Sequence, residues 1–353
     1  MRRASGARAL HARGFSGMIA AMDEPWTRWK GIRIEEQAAR LALVVRETPL
    51  VPLPSPDPRV SLRAKLENRQ ETGSFKARGA WNQIDQLTPA QRAAGVVCAS
   101  SGNHGKALAW AARKGGVPAT ICMPANAYPN KIEACRAEGA TVVLSPTREA
   151  ADLECAARVA AGMALVHPYD AERTVEGAGS VGVEIARQAP DAEVVVVCVG
   201  GGGLASGVSL ALRRAFGRRV VVLGAEPEGA PSLARGMRQG SPVRIEVSSK
   251  VQGLTPTYSG QLNIDVARDC VDEVVHLPDA EILAAQEELV RLGEVVEPAG
   301  AAACAVVLSG RLPSRLLDKR SAADPLRVVV VVSGGNPDPA QLAAVRAKVA
   351  GRA

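Results

Sequence analysis

"VVVVCVGGGGLASGV", residues 194–208, is the stretch on which the architecture turns. Its opening is apolar at every position rather than at every second one, which suits a strand buried on both faces of a parallel sheet. Gly200, Gly201, Gly202 and Gly203 stop that strand, and a helix-forming run follows. Strand, glycine turn and helix in that order form part of the repeating unit of an α/β fold.

The pattern recurs on both sides. "RVSLRAKLE", "GVVCAS", "ATICMP", "ATVVLS", "ALVHPY", "RRVVVLGAE", "DEVVHLP" and "LRVVVVVSGG" read as further strands, with "NHGKALAWAARKGG", "PNKIEACRAEG" and "EGAGSVGVEIARQ" as helices between them. The expected fold is α/β, with two open three-layer α/β/α domains and mostly parallel sheets. At 353 residues the chain exceeds what one hydrophobic core usually serves. A large domain is expected from residues 22–90 and 172–353, with a small domain, 91–171, inserted between its halves. Residues 1–21 read as a disordered or non-native extension. Four arginines without an acid give it the composition of a transit peptide, while Met18 and Met22 offer later starts.

Composition removes several classes. The chain is 47% hydrophobic and 22% charged, and no apolar run is long enough to cross a bilayer. Part of the formal charge of +7 comes from the opening stretch; elsewhere the signs are mixed. Neither nucleic acid nor a membrane is therefore an expected partner. Seven cysteines include no CxxC pair and mostly sit in apolar segments, the pattern of buried thiols in a reducing cytoplasm. The four histidines show no metal-ligand spacing.

In open parallel sheets, ligands bind where loops leave the carboxyl ends of strands. Three loops qualify. In "VVCASSGNHGKALAWAA", Ser100, Ser101, Gly102, Asn103, His104 and Gly105 join a strand to a helix whose first amides suit a carboxylate. The four glycines at 200–203 leave the main chain open to a phosphate. Ser333 closes the last strand ahead of Gly334, Gly335 and Asn336. A fourth feature is "TGSFKARGA", residues 72–80, a lysine in a chain whose basic residues are mostly arginine. A desolvated lysine can lose its proton and attack carbon, which a guanidinium cannot. Lys76 is either that or a solvated loop side chain.

Two readings compete for the glycine loop. Gly200, Gly202 and Ala205 fit G-x-G-x-x-A, and Glu226 ends the next strand where a ribose-binding acid belongs, as in a nicotinamide dehydrogenase. That reading leaves Lys76, the Ser-Ser-Gly-Asn loop and Ser333 without a role. Pyridoxal phosphate engages all four features: a lysine for its aldehyde, amides for its phosphate, a donor at its ring oxygen and a partner for its ring nitrogen.

Together the motifs resemble the fold-type II pyridoxal-phosphate enzymes, tryptophan synthase beta-like in fold, and within them the serine/threonine dehydratase and serine racemase branch. "KLENRQETGSFKARGA" (65–80), "SSGNHG" (100–105), "GGGGL" (200–204), "EPAGA" (297–301) and "SGGN" (333–336) follow the family's order across nearly the whole chain. The resemblance implies that Lys76 binds the cofactor's aldehyde and acts as the base at the substrate Cα. It implies that Gly200, Gly201, Gly202, Gly203 and Leu204 hold the phosphate, Asn103 the ring oxygen and Ser333 the ring nitrogen, with Glu297 facing the cofactor. The substrate falls to Ser100, Ser101, Gly102, Asn103 and His104, the last more structural than chemical.

The implied reaction converts L-threonine, L-serine or a related 3-hydroxy amino acid to a 2-oxo acid and ammonia, by Cα deprotonation and β-elimination. A neutral hydroxyl at Ser333 does not hold the ring nitrogen protonated, which favours elimination. Amino-acid racemisation is the alternative on the same fold. It needs an acid or base on the second face. Ser101 is the candidate, although it also reads as a cap of the following helix. In relatives with a divalent cation, a Glu, a carbonyl and an Asp supply the ligands. Here Glu226 and Ala230 match, but Ser232 replaces the second carboxylate, so any cation is expected to bind weakly. The remaining expectations are a small amino-acid substrate, a homodimer, and no C-terminal regulatory domain. Tyr258 in "GLTPTYSGQL" is either near the site or in a surface turn.

Overall fold

The computed structural model describes residues 24–351. The extension expected at residues 1–21, with Met18 and Met22, lies outside the described residues. Ten strands form two sheets among the described residues. They are β1 (Leu50–Leu53), β2 (Val60–Leu66), β3 (Val96–Ala99), β4 (Ala119–Pro124) and β5 (Thr141–Ser145), then β6 (Ala164–Leu165), β7 (Val194–Cys198), β8 (Val221–Pro227), β9 (Glu273–Leu277) and β10 (Leu326–Val332).

The larger sheet has the order β1-β2-β10-β7-β8-β9. Every pair in it is parallel except the edge pair β1 and β2. The valine runs Val194–Val197 and Val328–Val332 are wholly buried, as central strands covered on both faces must be. The helices Gly203–Phe216 and Pro298–Leu308 pack against β7. The second of these buries Ala299 through Val307 without a break. Its small residues let it lie close to the sheet. The smaller sheet, β5-β4-β3-β6, is parallel throughout. Its core draws in Leu41, Val45, Ala77, Ala80 and Ile84, so packing crosses the sequence division at residue 90.

Two strand expectations change. "ALVHPY" contributes only Ala164 and Leu165 to the sheet, and His167 to Asp170 turn away as a loop. β1 was not expected, because Pro49, Pro52 and Pro54 suggest a turn. At a sheet edge a proline costs no ladder bond, and Pro52 pairs opposite Arg63 there. No helix among the described residues is long and apolar enough to cross a membrane.

β7 and β10 are parallel neighbours, with Val196 opposite Val330. Their carboxyl ends therefore deliver Gly200–Gly203 and Ser333–Asn336 side by side.

Candidate active site

Lys76 opens the helix Lys76–Asp85. The chain just before it is tied to the end of β10. The Phe75 amide donates to the Ser333 carbonyl at 3.1 Å, Gly335 donates to Gly73 at 2.7 Å, and Ser74 pairs antiparallel with Gly334. Lysine and serine are thus held in one backbone frame. Lys76 Nζ donates to the Pro168 carbonyl at 2.6 Å. Burial lowers its pKa to about 8, against a small opposing effect of Cys198, and no carboxylate contributes. Its nitrogen also lies 4.8 Å from the centre of the Phe75 ring, but a buried amine with no carboxylate beside it favours its neutral, nucleophilic form.

The glycine loop enters the helix Gly203–Phe216 through Gly202, whose φ of +94° lies in the left-handed region. A Cβ on Gly202 would also fall 2.7 Å from the Asn263 Cβ, and one on Gly201 would fall 2.3 Å from the Tyr169 ring. The protein's own packing therefore requires these glycines. Asn263 Nδ2 staples the arrangement, donating to the carbonyls of Gly201 at 2.8 Å and Tyr169 at 3.0 Å. The first-turn amides, which a helix cannot pair itself, are left at the border of the cavity.

The first loop closes the opposite wall. Gly102 is the N-cap of the helix Asn103–Gly115, and no side chain caps it. Ser101 therefore does not perform the capping role open to it, and borders the cavity with Ser100. Ser100 Oγ accepts the Gly102 amide at 3.3 Å. His104 is buried, with Nε2 against the Val166 carbonyl at 2.8 Å. Burial, with Lys76 adding to it, pulls its pKa down to about 3, so the ring stays neutral. Asn103 donates through Nδ2 to Glu297 Oε1 and accepts from Asn336 Nδ2 at 2.9 Å. Lys106 in turn donates to Asn336 Oδ1 at 3.0 Å. Burial raises the Glu297 pKa against the pull of Lys131, Asn103 and Lys106. Asn103 is thus held on both sides of its amide.

Ser333 Oγ accepts a bond from Cys198 Sγ at 3.2 Å. Lys76, the residues Ser100–His104, the loop Gly200–Leu204, Glu297 and Ser333 all border one cavity of about 390 Å³. Pyridoxal phosphate fits that donor set. An amine of lowered pKa stands ready for its aldehyde, a helix N-terminus for its phosphate, and a neutral hydroxyl for its ring nitrogen.

Glu226, Ala230 and Ser232 lie elsewhere. Glu226 is fully buried and spends its oxygens on the amides of Leu233 at 2.6 Å and Ala234 at 3.2 Å. It anchors the helix Ser232–Gln239 and is not available to a ribose, which removes the dehydrogenase reading of the glycine loop. The Ala230 carbonyl accepts the Ser232 amide, and the Ser232 hydroxyl meets Ser259 at 2.9 Å. Among the described residues no group of three or more His, Cys, Asp or Glu side chains could hold a metal.

Sequence reasoning missed Tyr169, Cys198 and the pair Tyr128 and Gln252, all on the cavity wall. Gln252 donates to the Tyr128 hydroxyl at 3.0 Å, joining a loop of the larger sheet to the smaller one. Tyr169 makes edge contacts with His167 and Tyr258, ring centroids 4.8 and 6.1 Å away. Tyr258 thus lies behind the wall. "HPYD" following a short strand was the available signal for Tyr169; Cys198 was hidden inside an apolar run.

An open α/β fold with a desolvated lysine facing a glycine-capped helix and a neutral hydroxyl defines an enzyme that holds a phosphorylated aldehyde cofactor. The family model of pyridoxal-phosphate dependent enzymes matches residues 41–334, and this chain belongs to that family. It is similar to the L-threonine ammonia-lyase of Thermotoga maritima, 40% identical over 278 residues that cover 78% of this chain and 67% of that protein. The phenylserine dehydratase of Ralstonia pickettii is 37% identical over 311 residues, 86% of this chain and 92% of that one. Among solved structures, maize serine racemase superposes with a TM-score of 0.80 at 32% identity, over 91% of this chain and 97% of that one.

Proposed function

We propose that this enzyme dehydrates a small 3-hydroxy amino acid, L-threonine, L-serine or a bulkier analogue, to a 2-oxo acid and ammonia. The observation that carries the reading is Lys76, an amine with a pKa of about 8 at the base of a cavity it shares with Ser333 and the glycine loop. Relatives named as threonine ammonia-lyase and phenylserine dehydratase support the reaction class.

Bound pyridoxal phosphate supplies a sink for the electron pair left on Cα. The amides of Gly200 to Leu204 would hold its phosphate, and Asn103, clamped by Glu297 and Asn336, its ring oxygen. Ser333 offers the ring nitrogen a hydroxyl, which cannot hold it protonated as a carboxylate would. Ser100 and the amides from Gly102 to His104 bind the substrate carboxylate, which fixes the Cα–H bond toward Lys76. Lys76 takes that proton. The β-hydroxyl leaves as water, and one water returns as the nitrogen departs as ammonia. His104 stays neutral and shapes the wall.

Racemisation is a second reading, favoured by one observation: Ser101 borders the cavity and does not cap its helix. It would serve the face of Cα opposite Lys76, as the minor activity. We further propose a homodimer, to be read from its sedimentation coefficient, and a cytoplasmic, reducing location in keeping with seven buried, unpaired thiols.

The test is a panel of L-threonine, L-serine and phenylserine offered to the purified holoenzyme, following 2-oxo acid, ammonia and the D-enantiomer. Equal release of oxo acid and ammonia is expected, with Ser101→Ala losing only the D-enantiomer. Inversion without ammonia release would replace dehydration with racemisation as the main reaction.

A further inference from the structure

His167, in the loop that follows β6, carries a half-buried imidazole with no part in the reaction described above. Its Nδ1 accepts two backbone amides, from Tyr169 at 3.3 Å and from Asp170 at 2.7 Å. An amide N–H can only donate, so Nδ1 presents a lone pair and the ring proton sits on Nε2. Neither amide has another protein acceptor among the described residues. Burial lowers the His167 pKa below its ordinary value, with Asp170 opposing and Lys76 adding, in keeping with a neutral ring. The residue itself is held in place, because its carbonyl accepts from Gln83 Nε2 at 3.3 Å and from the Thr174 hydroxyl at 2.9 Å.

One of those two amides shares a peptide with an active-site contact. The Tyr169 N–H and the Pro168 carbonyl belong to the same trans peptide plane, so they point in opposite directions. With the N–H turned onto the imidazole, the carbonyl faces Lys76, whose Nζ donates to it at 2.6 Å. The proline ring fixes φ at residue 168, which leaves ψ as the rotation that could swing this plane, and the bond to Nδ1 settles it. We propose that His167 is a positioning residue: its Nδ1 fixes the Pro168–Tyr169 peptide plane and so aims the carbonyl that holds the Lys76 amine at the cavity. The inference rests on the reading of Lys76 given above and adds what places its nitrogen.

Asparagine is the informative substitute. Its Oδ1 stands as many bonds from the main chain as Nδ1 does and accepts a following amide, as in an Asx turn. Glutamine carries its polar atoms one bond further out, and leucine has none. The experiment strips pyridoxal phosphate from wild type, His167→Asn, His167→Gln and His167→Leu, then times its covalent return to each by absorbance. His167→Asn should keep pace with wild type, while His167→Gln and His167→Leu fall about tenfold or more behind, as a misplaced amine would. A long-range ¹H–¹⁵N spectrum of histidine-labelled wild type should show the His167 ring, identified by its loss in His167→Asn, as the neutral Nε2–H form. A proton on Nδ1, a His167→Gln or His167→Leu protein as fast as wild type, or a His167→Asn protein as slow as His167→Leu overturns the inference and leaves the reading of Lys76 intact. Should leucine prevent folding, asparagine against glutamine decides, and equal rates for the two overturn it. A wild-type protein that takes up no pyridoxal phosphate overturns both.

Discussion

Lys76 combines two properties that rarely meet in one lysine: its amine is enclosed, and no carboxylate compensates its charge. The ammonium is disfavoured for that reason, and half of it is deprotonated near pH 8 instead of above pH 10. Only the neutral amine attacks an aldehyde, so the rate at which the apoprotein covalently takes up pyridoxal phosphate should rise with pH and level off just above pH 8. A stopped-flow series across pH 6 to 10 reads this directly. A rate still climbing at pH 10 would mean an ordinary, solvated lysine. The glycines make a second statement at this scale. Gly201→Ala drives a methyl into the Tyr169 ring and should cost about 1–3 kcal/mol in urea denaturation. Gly31→Ala, at an exposed position where the added methyl meets nothing within 4 Å, should change stability by less than about 0.5 kcal/mol. Equal losses at the two positions would contradict the packing described.

At the scale of elements, the helix Lys76–Asp85 is anchored by a buried ionic network. Arg78 forks onto Glu67, at 2.7 and 2.8 Å, and onto Glu184, at 2.6 and 2.9 Å. Lys65 also bonds Glu184. Burial alone would raise the Glu67 pKa, but Arg78, then Lys65 and Thr48, outweigh it and hold it below the usual range. That stabilisation is present above the unfolded pKa of the carboxyl and disappears as pH falls through the folded one. Arg78→Leu strands Glu67 in the core and should cost about 3–5 kcal/mol at neutral pH. The loss should shrink under acid conditions, where Glu67 of the variant is protonated both folded and unfolded and no buried charge is stranded; denaturation at pH 7 and pH 4 reads the difference. The central strands were legible because Val194–Val197 and Val328–Val332 admit no polar alternate. β1 was not, since three nearby prolines say turn unless one knows the strand is an edge. "ALVHPY" was over-read for the complementary reason: its β-like composition serves a loop that lays Tyr169 against Gly201. The glycine loop was found for its amides, while the ring that requires the missing Cβ came from a segment some thirty residues earlier.

For the molecule as a whole, the site exists only where the two sheets meet. Lys76, Gly200–Gly203 and Ser333 come from the larger sheet's loops, and Ser100–His104 from the smaller one. The Tyr128–Gln252 bond spans the same cleft. The motifs were readable because each is a short run after a strand; their convergence is a property of strand order, which places β10 between β2 and β7. Cys198 illustrates the remainder: its sequence surroundings say core, and only the parallel register of β7 with β10 brings it to Ser333. The central claim is that Lys76 is the attachment point of pyridoxal phosphate. Borohydride reduction of the holoenzyme, followed by peptide mapping in a mass spectrometer, tests it most directly. The account predicts one reduced pyridoxyl group per chain, on the peptide containing Lys76, and none in Lys76→Ala. A pyridoxyl group on another lysine, or an unmodified Lys76 in a protein that retains the cofactor, would contradict it.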